Sequence, residues 1–406
     1  MRSQRTVALA VVLLVLSAVS PGRAADGDDG VQPQPQDQLK PMLRIDWSRG
    51  PSLPQGFQDS AGGFVGDTLI TVAGYCGGGL EIDKVRKPGL YPPGFLSKAW
   101  GVDLSAQKAG WTSLPDFPGV PRQGVFSVVL DDRLYVWGGF NYTEPCAYAD
   151  GWRLSKAASG WTWESVPALP WPLTCAGITA IESRIYVLGG GDYDIVRGFH
   201  TATDRHGRVA RLGARLLVLD TRDLAAGWKE LPSCPGTPRF VHATQAVAGK
   251  VYVIGGATLN PSCTVVDNWV FEPSGERWTR IRDLPVASGN FPRGQVAFHD
   301  RYILLPGGYQ YGLVANADGT TRSVYGKPSS RDPKTGLYND VFIYDTKTNS
   351  FGTADKLPLD NNLPMTVVRG DRIYLIGGET GGVTVDGEYF GHHPELVLVG
   401  QIGFPN

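Results

Sequence analysis

Arg122 and Arg239 occupy matching positions, each directly after a proline and nine residues before a two-residue hairpin turn, Asp131-Asp132 and Ala248-Gly249. Arg293 also follows a proline but stands six residues before its turn, His299-Asp300. Guanidinium groups gathered at one opening suit a carboxylate or another anion, because each planar fork donates paired, charge-assisted hydrogen bonds. The same side chains serve equally well to tie a neighbouring loop carbonyl or carboxylate, a structural use. Two further polar groups accompany them: His242, three residues past Arg239, and Glu379, directly after Gly377-Gly378. A carboxylate or histidine beside an arginine is sufficient for simple proton transfer at a bound ligand. Between Gly191 and Arg215 the chain adds Arg197, Arg205, Arg208, Arg211, His200 and His206. That segment reads either as a grip for an acidic sugar or polyanion or as a solvated charged loop. His200 and His206 lack acidic or histidine partners at metal-ligand spacing, and His392-His393 is equally isolated, so neither a metal nor a cofactor is expected. No phosphate loop, zinc-protease helix or nucleophile elbow is present.

These groups are carried by a repeat. Arg133-Leu134-Tyr135-Val136-Trp137-Gly138-Gly139 has close copies beginning at Arg184, Lys250 and Arg372, and looser ones at Thr68 and Arg301. Each is a β-branched and aromatic run too short for a helix, with turn residues in front and glycines behind, which predicts a strand buried on both faces. The glycine pair leaves room for another backbone or a large ring. The turns are Gly66-Asp67, Asp131-Asp132, Glu182-Ser183, Ala248-Gly249, His299-Asp300 and Gly370-Asp371. From turn to glycine pair is seven residues in five copies and eight in the fifth, where Pro306 predicts a bulge.

An apolar segment precedes each turn, and a third strand follows each variable loop. A fourth strand carries a large ring and a Leu/Val-Pro stop: Trp111, Trp163, Trp228 and Trp278, with Phe351 in the fifth unit. The sixth unit stops after its third strand near Gly400, and the missing Trp and Leu-Pro sit at the other end, as Leu43 to Trp47 with Leu53-Pro54. The expected fold is therefore all-β: a six-bladed β-propeller over residues 42–403, closed by an N-terminal strand completing the last blade. First-strand starts and second-strand ends share one face, and long loops of units one, three and five would hood the central pore there.

The ends and the charge set the compartment. Arg2 and Arg5 precede an apolar run from Val7 to Val19 and the small residues Gly22 and Ala24, the layout of a secretory signal cleaved after Ala24. Residues 25–41 are rich in Asp, Gln and Pro and read as a disordered linker. Removing residues 1–24 takes away three arginines and no acid, leaving 35 basic against 39 acidic side chains, a net −4. Nothing in that balance favours nucleic acid, and no stable membrane insertion is expected after cleavage. The mature chain is expected to be periplasmic or secreted. Five cysteines in an exported chain invite disulfides, and equal spacing pairs Cys146 with Cys175 and Cys234 with Cys263, leaving Cys76 over.

The glycine pair, the aromatic within its strand and the later Trp resemble the kelch family over residues from about 42 to 403. More narrowly, Gly119-Val120-Pro121-Arg122-Gln123 and Ile376-Gly377-Gly378-Glu379-Thr380-Gly381-Gly382 are similar to periplasmic propellers of the sialic-acid mutarotase (N-acetylneuraminate epimerase) type. That resemblance implies an exported isomerase acting on a small acidic sugar, with an acid directly after the fourth glycine pair. Here that position is Ala257, with Glu379 and His242 as substitutes on the same face. The other reading is a non-catalytic protein- or glycan-binding propeller, since one fold hosts many functions.

Overall fold

The computed structural model describes residues 31–76, 94–105, 110–141, 145–191, 213–258, 263–289, 294–315, 321–322, 325–381, 383–385, 388–390 and 392–405. The expected signal (1–24), the beginning of the linker, Arg293, and the Arg197–Arg211 and His200/His206 group lie outside them.

The short apolar runs are strands, and they form six four-stranded antiparallel sheets among the described residues. In the second of these, Gln123–Leu130, Arg133–Phe140, Gly151–Ala157 and Gly160–Val166 follow one another as a meander. The glycine-pair strands are buried on both faces: Leu134, Tyr135, Val136 and Trp137 are all 1% exposed or less. The first strands of successive sheets pack side by side in a closed circuit, the sixth returning to the first. Pro306 sits at a register shift in the fifth sheet, as its extra residue predicts.

Two devices fasten one sheet to the next. The fourth-strand tryptophans reach back one unit: Trp163 donates its indole N–H to Pro115 O (2.9 Å), Trp228 to Pro167 O (3.2 Å) and Trp278 to Pro232 O (2.7 Å). This is the physical content of the repeated Trp and Leu-Pro. A buried indole N–H needs an acceptor, and a proline fixes its carbonyl where no strand ladder uses it. The second device is the glycine pair. Gly139 N–H donates to Leu173 O and Gly378 N–H to Phe57 O, backbone of the neighbouring unit. A Cβ at Gly138 would stand 2.3 Å from Leu173 O, and φ there is +67°, so only glycine fits.

The chain closes on itself. Arg44–Arg49 runs antiparallel to Val397–Gly403, from Arg44 opposite Gly403 to Arg49 opposite Leu398. Trp47 then donates to Asp355 O of the fifth unit, the same backward reach as the other tryptophans. Residues 31–41 differ from the linker that their composition predicts. Val31 O accepts Asp283 N–H, Gln34 Oε1 accepts Phe351 N–H, and Pro41 bridges Thr353. The open edge of Ser350–Ala354 supplies the last two partners, and covering such an edge is worth ordering a polar segment.

One further four-stranded sheet and two two-stranded ones lie outside the six among the described residues. Ala257–Thr258, Cys263–Val265, Leu313–Ala315 and Thr321–Arg322 join the loops of the fourth and fifth units, with the middle pair parallel.

Candidate functional site

Arg122 and Arg239 are each 1% exposed and make the same clamp. Nε–H donates to the carbonyl two residues back, Val120 (2.7 Å) or Thr237 (2.8 Å). Nη1 donates to the first carbonyl of the glycine pair, Gly138 O (3.1 Å) or Gly255 O (3.2 Å). The fork then meets a carboxylate, Asp150 at 2.6 and 3.2 Å or Asp267 at 2.5 Å. Arg239 adds the Asp267 carbonyl, so in both clamps four of the five N–H donors are on protein acceptors. Trp152 and Trp269 indoles hold the same carboxylates. Tyr148 lies 3.8 Å from the Arg122 guanidinium. These two arginines thus lock the ends of their glycine strands instead of presenting a fork to a ligand. The sequence does carry the sign: Asp-x-Trp stands 28 residues after each arginine, at Asp150-Gly151-Trp152 and Asp267-Asn268-Trp269.

The axis is closed by backbone and by side chains. Asp59 N–H donates to Leu363 O, Gly124 to Asp59 O, Cys175 to Gly124 O and Val241 to Cys175 O, at 2.9–3.2 Å. All five have φ between 49° and 70°. The left-handed backbone turns their amides out of the strand ladders and toward the next unit, forming a collar. Phe140, Phe240, Cys175, Val241 and Ala257 pack into one cluster there, with Phe95, Tyr311 and Leu363 against it. Deeper along the axis Gln295, from the fifth unit, reaches past the fourth. Its amide accepts Thr179 Oγ1–H (2.7 Å) and donates to Ile178 O (2.9 Å). His242 lines a cavity of about 20 Å³ with Ser127, Thr244 and Gly294, the room of roughly one water. His242 therefore faces this inner cavity, away from the rim.

The residues directly after the glycine pairs ring the collar. Tyr75, Phe140, Gly191, Ala257, Tyr309 and Glu379 each pair antiparallel with a residue at or just before the start of the first strand of their own unit. Of these six equivalent positions Glu379 is the one acid, and Ala257 is fully buried in the apolar plug. Asn362 Nδ2–H donates to Glu379 Oε2 at 2.9 Å, and His392 Nε2 lies 3.0 Å from Oε1. His392 Nδ1 lies 3.0 Å from Thr380 O. With Glu379 held ionised, a carbonyl on one ring nitrogen and a carboxylate on the other require protons on both nitrogens for both contacts to be hydrogen bonds, which makes the pair imidazolium and carboxylate. Burial pushes the Glu379 carboxyl up, but the bond and charge of His392, the Asn362 amide and His393 together bring it below its ordinary value. His393 is the opposite case: burial, aided by His392, drives it down to about 3, so it is neutral, with Nε2 3.2 Å from Gln58 Oε1.

From this polar corner an aromatic arc runs along the collar. His393 meets Tyr75 edge-on at 5.9 Å, Tyr75 meets Phe95 at 5.3 Å, and Phe95 meets Phe140 at 6.2 Å. Asp360, which no motif marks, stands on the same rim: its Oδ2 accepts Gly381 N–H at 3.3 Å. Burial first, then the charges of Asp332 and Glu379, raise its carboxyl above the usual value.

The disulfides expected from spacing are not bridged in this structure. Cys76, Cys146, Cys175, Cys234 and Cys263 are buried thiols. Cys175 packs in the collar, while Cys234, between the third and fourth sheets, and Cys263, in the loop sheet, lie in separate clusters despite their equal spacing. Burial pushes the Cys234 thiol up to about 11. No cluster that could hold a metal ion occurs among the described residues, and none of their helices is long and apolar enough to cross a membrane.

Comparison with known proteins agrees with this architecture. The Kelch motif matches residues 121–170 and 238–285, the two stretches that contain the arginine clamps. The N-acetylneuraminate epimerase of Haemophilus influenzae (strain 86-028NP) is 23% identical over 361 residues, covering 82% of this chain and 88% of that protein. The Pasteurella multocida (strain Pm70) epimerase is 22% identical with the same coverage. That of Yersinia pestis (strain Pestoides F) is 31% identical over 189 residues, 41% of this chain and 47% of the relative. The solved structure of YjhT superposes with a TM-score of 0.59 at 15% identity, covering 84% of this chain and 98% of its own, a likeness of fold. The chain is an all-β propeller with Kelch motifs, related over most of its length to N-acetylneuraminate epimerases.

Proposed function

We propose that this chain is an exported propeller that binds a small acidic sugar at the collar and exchanges its anomers, as a mutarotase-like isomerase. The single observation that carries the reading is the Glu379–His392 ion pair, the acid among six equivalent rim positions, set at the end of an aromatic arc. Anomer exchange needs one group to take the anomeric hydroxyl proton and another to protonate the ring oxygen. An apolar floor with a few convergent polar groups is the ordinary make-up of a small-ligand site. The His392 imidazolium, with both N–H groups already on Thr380 O and Glu379, favours an anionic sugar by its charge alone. The epimerase relatives favour the same substrate class. In this reading the six meanders are the six blades, residues 42–403 form one body, and residues 1–24 are removed on export.

The test is proton-NMR exchange between the anomers of a sialic acid, with and without micromolar protein. Acceleration is expected; an unchanged rate would overturn the enzyme. The second reading, a glycan-binding propeller without catalysis, is favoured by Ala257 at the position where the resemblance implies an acid. It predicts capture of acidic sugars that Glu379→Ala weakens, with no anomer exchange. N-terminal analysis of the protein recovered from a bacterial periplasm should begin at Ala25 if export proceeds as read.

A further inference from the structure

We propose that Asp360 is the second proton-carrying group of the Glu379 site, the acid that protonates the ring oxygen of a bound sugar. This rests on the isomerase reading above. The two carboxyls belong to two strands of backbone held together by the Asn362–Glu379 bridge. Asp360 stands two residues before Asn362, whose amide holds Glu379, and its own Oδ2 is fixed by the N–H of Gly381, two residues after Glu379. The arrangement therefore pins both acids to one rim from both sides.

Their surroundings differ. Glu379 has the His392 imidazolium, the Asn362 amide and nearby His393. Asp360 is half-buried and acted on by Asp332, from the 325–336 loop, and by Glu379, both of its own sign, with only backbone N–H groups, those of Gly381 and of Asp360 itself, to favour the ionised form. One carboxyl is thus held ionised and its neighbour biased toward the protonated form. Carboxyl pairs driven apart in this way divide into a base and an acid.

The step balances without a co-reactant. Glu379 takes the anomeric hydroxyl proton and the O–H electron pair becomes the second bond of the carbonyl. The bond from the anomeric carbon to the ring oxygen breaks, and that oxygen takes the Asp360 proton. After rotation about the adjacent carbon–carbon bond, the ring oxygen returns its proton to Asp360 as it attacks the other carbonyl face. Glu379 gives its proton to the new hydroxyl. Both groups end as they began.

The test uses the full mature chain and the anomers of a sialic acid, with exchange followed by proton NMR across pH. Wild-type protein should give a bell-shaped profile. The acid limb reports Glu379 becoming protonated and the alkaline limb Asp360 losing its proton. Asp360→Asn keeps an acceptor for Gly381 N–H, so the fold should survive, as circular dichroism will check. Its rate should fall by about 100-fold or more, and the alkaline limb should vanish. Asp360→Glu should retain a measurable rate with that limb displaced. If folded Asp360→Asn exchanges anomers at an undiminished rate with the limb intact, the assignment is overturned while the isomerase reading stands. If wild-type protein accelerates nothing, both fall together.

Discussion

The Arg239 guanidinium meets the Asp267 carboxylate at 2.5 Å with the two side chains 1% and 2% exposed, so neither charge has water to fall back on. Burial alone would raise the Asp267 carboxyl, but Arg239, Trp269 and Thr237 outweigh it and hold the group below its ordinary value. Arg239→Met should therefore cost about 3–5 kcal/mol of unfolding free energy, because it strands a buried carboxylate. Arg122→Met should cost less, since Asp150 is 36% exposed and can turn to solvent. Denaturant unfolding of both variants measures the difference; equal losses would count against burial as its cause. The depressed Asp267 contributes stability above its unfolded value near 3.9, and that contribution is lost as pH falls through the lower folded value.

Much of this architecture is legible in the sequence because each repeat solves the same physical problem. A buried strand, a tight turn and a close backbone approach demand apolar residues, Asp or Gly and a glycine pair, so six copies announce six sheets. Even the closure is legible, since the Trp missing from the sixth unit reappears as Trp47, in a strand that pairs with Val397–Gly403. The site is less so. A buried arginine that clamps its own blade and an exposed one that grips a ligand have the same sequence signature until the carboxylate 28 residues on is recognised. His392 comes to Glu379 only through tertiary folding, and Asp360 lies in no motif. Composition likewise fails for residues 31–41, whose order depends on an edge they happen to cover.

Removing residues 31–49 should open the ring. The deletion leaves Val397–Gly403 as an unpaired edge and takes Ile45, 2% exposed, out of the core. Unpaired edges template association between chains. Light scattering on the truncated protein should show oligomers or aggregates. A monomer melting like the full-length chain would contradict closure by the N-terminal strand.

The five cysteines should behave as buried thiols. Without reductant, a thiol-reactive alkylating reagent should label few or none in the folded protein and all five after unfolding in denaturant, as counted by mass spectrometry. Cys234, with its thiol pushed up to about 11, should be among the slowest while folded, because the thiolate is the reactive form. Four cysteines that stay unlabelled after unfolding would restore the two disulfides expected from spacing.

Asp360 should cost stability in return for its place on the rim. A carboxyl whose folded value is raised carries no penalty below the unfolded value near 3.9; the penalty grows as pH rises from there and is complete above the folded value. Asp360→Asn removes it, so the variant should melt slightly higher at neutral pH, within about 2 °C. The gain should disappear below about pH 3.9. A lower melting temperature at neutral pH would mean that the carboxylate is held for structure.

Glu379→Gln should change the protonation of a different residue. In the folded chain His392 has Thr380 O on Nδ1 and Glu379 Oε1 on Nε2, an arrangement that needs two ring protons. A glutamine can turn its amide N–H toward Nε2 and its oxygen away. The imidazole can then satisfy both contacts with Nδ1–H alone, and the second proton is no longer held by a charge. Nitrogen NMR of the imidazoles at neutral pH should therefore show His392 as imidazolium in the wild type and neutral in the variant. His393, buried and neutral in both, is the internal control. Anomer exchange should fall by about 100-fold or more with it, since the base is gone. Loss of exchange with an unchanged His392 spectrum would keep Glu379 as the base but refute the ion pair. An unchanged rate would remove Glu379 from the chemistry, and a depressed carboxyl in a half-buried corner would then be an ordinary ion pair holding the last loop to its blade.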